Sequence, residues 1–141
     1  MQKLIDQADT AVAIPPSAGA TGAVTANKVD GTGYGRARFI FSFGANSNTS
    51  AAISAGLGVW AASTSGATFA QVAGASLAAV TSGILSNVCM AIDVAISSGT
   101  PWLLISGGSM LSTAIANSCT VDLYRGVKRP DVDSYQQVVT V

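Results

Sequence analysis

The chain has 141 residues, no net charge and only 10 % charged residues, against about 25 % in an ordinary soluble domain. That length suits one domain with a real core, and the zero balance removes the field that would draw in nucleic acid or an acidic membrane. Every acid is an aspartate and there is no histidine, which excludes Ser–His–Asp and Cys–His catalysis and leaves too small a ligand pool for zinc.

Mean hydropathy is +0.46, but it comes from scattered alanines and valines. No run of about 18 apolar residues is present to form a membrane helix. Residues 1–16, MQKLIDQADTAVAIPP, hold a lysine and two aspartates and no apolar stretch. They do not read as a secretory signal, so synthesis is expected in the cytoplasm.

Residues 1–35 read as an extended N-terminal arm. Pro15-Pro16 forbids regular helix or a central strand there. Residues 10–14 and 23–26 are short extended pieces suited to a sheet edge. The body is expected over 36–130. In RARFIFSF, Phe39, Phe41 and Phe43 share one face and Arg36, Arg38 and Ser42 the other, a period of two with aromatics that predicts a strand. GANSNTS is a loop. Ile53, Ala55, Leu57, Val59 and Ala61 form one face of a second strand, with Trp60 on the other. STSG turns the chain into ATFAQVA, which predicts a hairpin. Residues 74–86 read as a short alanine-rich helix or an irregular connection.

Alternation returns with Val88, Met90, Ile92, Val94 and Ile96 on one side and Cys89, Ala91, Asp93 and Ala95 on the other. SSGTP is a turn. PWLLIS is a short strand with Pro101 at its first position, where a missing N–H is tolerated. After GGS, Ile115, Asn117, Cys119, Val121 and Leu123 alternate with Ala116, Ser118, Thr120, Asp122 and Tyr124. Six or so strands without a long helix predict an all-β fold. The expected form is a single antiparallel β-sandwich, jelly-roll-like, with a C-terminal tail at 131–141.

Residues 39–92 carry not one formal charge. A surface so poor in charge is seldom kept in solution by repulsion, and is expected to be covered by neighbouring subunits. Asp93 and Asp122, the only acids of the body, read as solvent-facing strand residues. Asp131 and Asp133 are too few for a calcium loop. Gly31-Thr32-Gly33-Tyr34-Gly35 lacks the spacing of a phosphate loop, and a strand rather than a helix follows it; it reads as a plain flexible loop. Cys89 and Cys119 read as buried free thiols. No catalytic, cofactor-binding or metal-binding residue is expected.

The candidate partner contacts are Arg36, Arg38, Trp60, Arg125, Lys128, Arg129 and Tyr135. Arg36 and Arg38 open a strand, and Arg125, Lys128 and Arg129 follow the last one. These are either solvated strand ends or bidentate contacts to acidic groups of a partner. Trp60 and Trp102 are core residues or, for Trp60, which is out of phase with Val59, an interface anchor. Trp60 and Tyr34 are also candidate sugar platforms.

The strand ending FSFG, the VWAAS strand, the SGATFAQVAG hairpin arm, PWLLIS and the closing CTVDLYRGVKRP resemble, over residues 38–130, the capsid decoration (cement or head auxiliary) proteins of tailed bacteriophages. The family's hairpin corresponds to WAASTSGATF, its middle strand to PWLLIS and its close to VDLYRGVKRP. The resemblance implies a virion protein on the outer capsid surface. It would clamp subunits of the major capsid protein at local threefold or similar positions, as a homo-oligomer with a trimer favoured. No nucleic acid, membrane or cofactor is implied. QQVVTV is then a candidate strand to add to a neighbour's sheet. A surface or host-glycan binding module and a tail or head-fibre component are the other readings.

Overall fold

The computed structural model describes residues 8–17, 22–23, 26–45, 56–79, 87–107, 109–110, 117–125 and 137–141. The described residues form strands and no helix: β1 (Ala8–Ser17), β2 (Gly22–Ala23), β3 (Val29–Asp30), β4 (Arg36–Phe43), β5 (Gly58–Ala62), β6 (Ala70–Ser76), β7 (Val88–Ala95), β8 (Trp102–Ser106), β9 (Ser109–Met110), β10 (Asn117–Tyr124) and β11 (Gln137–Thr140). The strand predicted at 36–43 and the hairpin through 63–66 are met, and those predicted at 88–96 and 101–106 form one residue shorter, as 88–95 and 102–106. Residues 74–76 finish β6 and 77–79 are irregular rather than helical; residues 80–86 lie outside the described residues.

The strand pairs are nested. β1 pairs with β10, β3 with β8, β4 with β7 and β5 with β6, each antiparallel. The chain therefore runs as one long hairpin whose successive rungs are dealt to two sheets. One has the order β1-β10-β4-β7-β11 and the other β3-β8-β5-β6, with β2 and β9 forming a separate two-stranded ladder. Two sheets packed face to face make a β-sandwich.

The core lies between them. Phe39, Phe41 and Phe43 of β4, Met90, Ile92 and Val94 of β7, and Cys119, Val121 and Leu123 of β10 meet Val59, Leu103 and Ile105 of the second sheet. Each large side chain buried there contributes about 1.5–3 kcal/mol. The alternation that identified the strands is this inward face.

Edges follow their residues. β1 carries Pro15 and Pro16 and occupies the outer position of its sheet, with its register broken around Ile14; prolines are tolerated at an edge because no further strand needs their N–H. At the opposite edge β11 runs parallel to β7, Gln137 opposite Met90 and Thr140 opposite Asp93. Part of the expected tail strand thus forms within this chain's own sheet. β6 bulges between Gln71 and Ser76. The bulge presses on β5 at Gly58, where a Cβ would lie 2.3 Å from the Ala75 carbonyl oxygen.

Candidate functional site

Arg36 and Arg38 alternate with the core residues Ala37 and Phe39, so they stand on the outer face of the five-stranded sheet. Register places Arg38 between Asp122 and Asp93, and Arg36 beside Tyr124. Arg36 Nε donates to Asp93 Oδ1 at 2.7 Å. Arg38 Nε reaches Asp93 Oδ2 at 3.2 Å and its Nη2 lies 3.1 Å from the same oxygen. Tyr124 Oη donates to Oδ2 as well. One carboxylate thus organises two guanidiniums and a phenol.

Asp93 is 0 % exposed and Arg38 2 %, which corrects the expectation of a solvent-facing aspartate. The reason is electrostatic. A carboxylate at this position is tolerated away from water because charged donors surround it. Burial works against the charge of Arg36, but the hydrogen bond and the attraction of Asp93, with a further part from Tyr124, outweigh it and raise its pKa. The oxygens of Asp93 are engaged by these donors and its side chain is out of contact with solvent.

The same arginine holds the last described residues. Arg36 Nη2 donates to the main-chain oxygen of Val141 at 2.9 Å. Val141 N donates to Asp93 O at 2.9 Å, and Ala95 N to Val141 O at 3.1 Å. The polar cluster therefore joins β4, β7 and β10 to the chain just after β11.

Trp60 lies opposite Leu104 on the outer face of the other sheet, because its neighbour Val59 is fully buried in the core. The ring is half-buried, and its Nε1 is buried without a hydrogen-bond partner among the described residues. Trp102 is half-buried on the same face. Gly107, at φ +89°, gives the indole its room: a Cβ there would sit 3.0 Å from Trp60 Nε1 and 2.6 Å from the Gly56 carbonyl oxygen.

At one end of the sandwich, the 31–35 turn, Ile96, Ser98, Pro101 and Arg125 line an open groove of about 500 Å³. Gly31 N is bound by Pro101 O, Tyr34 N by Gly31 O and Gly35 N by Tyr124 O, while Thr32 N is bound by Asp30 Oδ1. These four amides are hydrogen-bonded within the chain, so the turn does not present the row of N–H donors that a phosphate loop needs. The guanidinium of Arg125 lies 6.0 Å from the centre of the Tyr34 ring.

Of the candidate contacts, the structure brings Arg36 and Arg38 together around Asp93 and places Trp60 and Arg125 at separate surfaces. Lys128, Arg129 and Tyr135 lie outside the described residues. Asp93 and Tyr124 are the site residues that pattern reading missed. The available signal was an aspartate inside an apolar strand, in a chain whose only other body acid is Asp122. Among the described residues no three metal-ligating side chains come together. No protein-family model, curated protein or solved structure matches the chain.

Proposed function

We propose that this protein is a structural virion subunit, a capsid decoration or cement protein that binds the outer surface of a tailed-phage head and stabilises it. The observation that carries the reading is the fate of the charges bounding the neutral stretch. Arg38 and Asp93 are both buried and paired, so no charged side chain from 37 to 121 stands at the surface. Such a surface gains little from charge repulsion and suits coverage by neighbouring subunits.

The strand order supports a jelly roll. In β1, β3, β4, β5, β6, β7, β8 and β10 the first strand pairs with the eighth, the second with the seventh, the third with the sixth and the fourth with the fifth, which is how a hairpin rolls into a double-sheet jelly roll. The sequence resemblance over 38–130 supplies the rest: the major capsid protein as partner, a trimer on the particle, and the capsid surface as location.

Gradient sedimentation of a lysate from the native source tests this, with the chain followed by mass spectrometry. Co-migration with large particles, in amounts near stoichiometric with a major shell protein, is the expected result. A position at the top of the gradient overturns the reading.

A further inference from the structure

We infer that the groove beside the 31–35 turn is a binding site for an acidic saccharide, a sugar bearing one carboxylate such as a hexuronic acid. The inference is independent of the capsid reading and rests on which hydrogen-bonding groups the groove has left. Its donors are largely spent inside the chain. The amides of Gly31, Thr32, Tyr34 and Gly35 are bound as described above, Gly99 N is bound by Ser97 Oγ, and Ile96 N and Thr100 N by Gly35 O and Ser97 O.

What remains among the described residues are acceptors, the amides of Gly33 and Ser98, and one cation. Among the described residues the carbonyl oxygens of Thr32 and Gly33 receive no hydrogen bond, and Ser98 contributes a hydroxyl to the lining. Arg125 is exposed and, among the described residues, its guanidinium meets the Tyr34 ring but no oxygen. The other described cations differ. Arg36 and Arg38 are held by Asp93, and Lys28 Nζ donates to Ser65 O.

A ligand complementary to this groove brings hydroxyl donors for the free acceptors and a single anionic acceptor for the guanidinium. An acidic sugar has that inventory, and Arg takes a carboxylate through two parallel N–H donors. The Tyr34 ring, Ile96 and Pro101 supply apolar surface for the C–H face of a pyranose. The volume of about 500 Å³ falls in the range of small-ligand sites.

The test uses the full chain in isolation, titrated with a short hexuronic acid oligomer and followed by calorimetry and amide chemical shifts. Saturable binding is expected, with shifts confined to residues 31–35, 96–101 and 125. The neutral hexose oligomer of the same linkage is expected to bind at least about tenfold more weakly, the loss of one charge-assisted contact. R125Q is expected to weaken uronate binding by a similar factor with unchanged thermal unfolding, since the side chain is exposed, and Y34L to weaken it as well. No saturable binding, equal binding of the neutral oligomer, equal or tighter binding of an oligoglutamate peptide, or an unaffected R125Q protein would each overturn the assignment. Particle association is read in a separate experiment, so failure here leaves the capsid proposal untouched.

Discussion

Arg38 and Asp93 bracket the uncharged stretch 39–92 in sequence and close it in space: they are register partners across β4 and β7, with Arg38 Nη2 3.1 Å from Asp93 Oδ2. The charges nearest the neutral segment are thereby used against each other. Arg36 and Tyr124 complete the set, and through Arg36 the cluster extends to the Val141 main chain.

Removing the shared acceptor takes from two guanidiniums, one of them fully buried, the carboxylate that holds them both. Asp93→Asn is expected to lower unfolding free energy by about 3–5 kcal/mol, measured by urea denaturation. Arg38→Met, which leaves Asp93 its bonds from Arg36 and Tyr124, is expected to cost less. A larger loss for Arg38→Met than for Asp93→Asn would contradict the assignment of Asp93 as the organising group.

The two cysteines are free, and their exposures differ. Cys119 is buried, and burial pushes its thiol pKa far up, with a backbone hydrogen bond from Ile40 opposing weakly. A thiol that resists ionisation and lacks access does not react. In the native protein at neutral pH a thiol reagent is expected to modify half-buried Cys89 and to leave Cys119 untouched. Denaturation without reductant is expected to release both. Rapid native modification of Cys119 would show that β10 opens readily.

Asp30 accepts hydrogen bonds from the Thr32 hydroxyl at 2.6 Å and the Thr32 amide at 2.9 Å. The hydroxyl, then the amide, hold its pKa below the ordinary value of 3.8. A carboxylate with a lowered folded pKa adds stability above its unfolded pKa and loses it as pH falls through the folded value. The 31–35 turn is therefore expected to be tightest above pH about 4 and to loosen in stronger acid. Thr32→Val is expected to move the Asp30 midpoint, followed by carboxyl NMR, upward toward 3.8; an unmoved midpoint would rule out the hydroxyl as the main cause.

The close contact of β5 with the β6 bulge predicts a contrast between two glycines. A Cβ at Gly58 would lie 2.3 Å from the Ala75 carbonyl oxygen, whereas one at Gly66 meets nothing within 4 Å. Gly58→Ala is expected to destabilise by about 1–3 kcal/mol, as overpacking against main chain does. Gly66→Ala is expected to change stability by less than about 0.5 kcal/mol. Thermal unfolding of both variants checks the pair.

Period-two alternation made β4, β7, β8 and β10 legible because each sets its larger apolar side chains on one face, toward the other sheet. The same rule put Val59 inward and Trp60 outward. It did not reveal β3 or β9, which span two residues each and are too short for any period to register. Nor did it show that part of the tail strand would run parallel to β7 in its own chain, since pairing partners of distant segments leave no local trace.

Composition and alternation by themselves determined that this is an all-β protein with an uncharged stretch over 39–92 and with neither histidine nor glutamate. Both are properties of residue type and of spacing along one strand. Only the tertiary structure decided that Asp93 is buried rather than solvated, and that most amides of the 31–35 turn are hydrogen-bonded within the chain beside an Arg125 that, among the described residues, meets no carboxylate. Burial and hydrogen-bond partnership depend on residues brought from other strands: Asp93 lies 55 and 57 positions from the arginines that hold it. A strand's own sequence says which residues share a face, but the sheet order decides what that face meets.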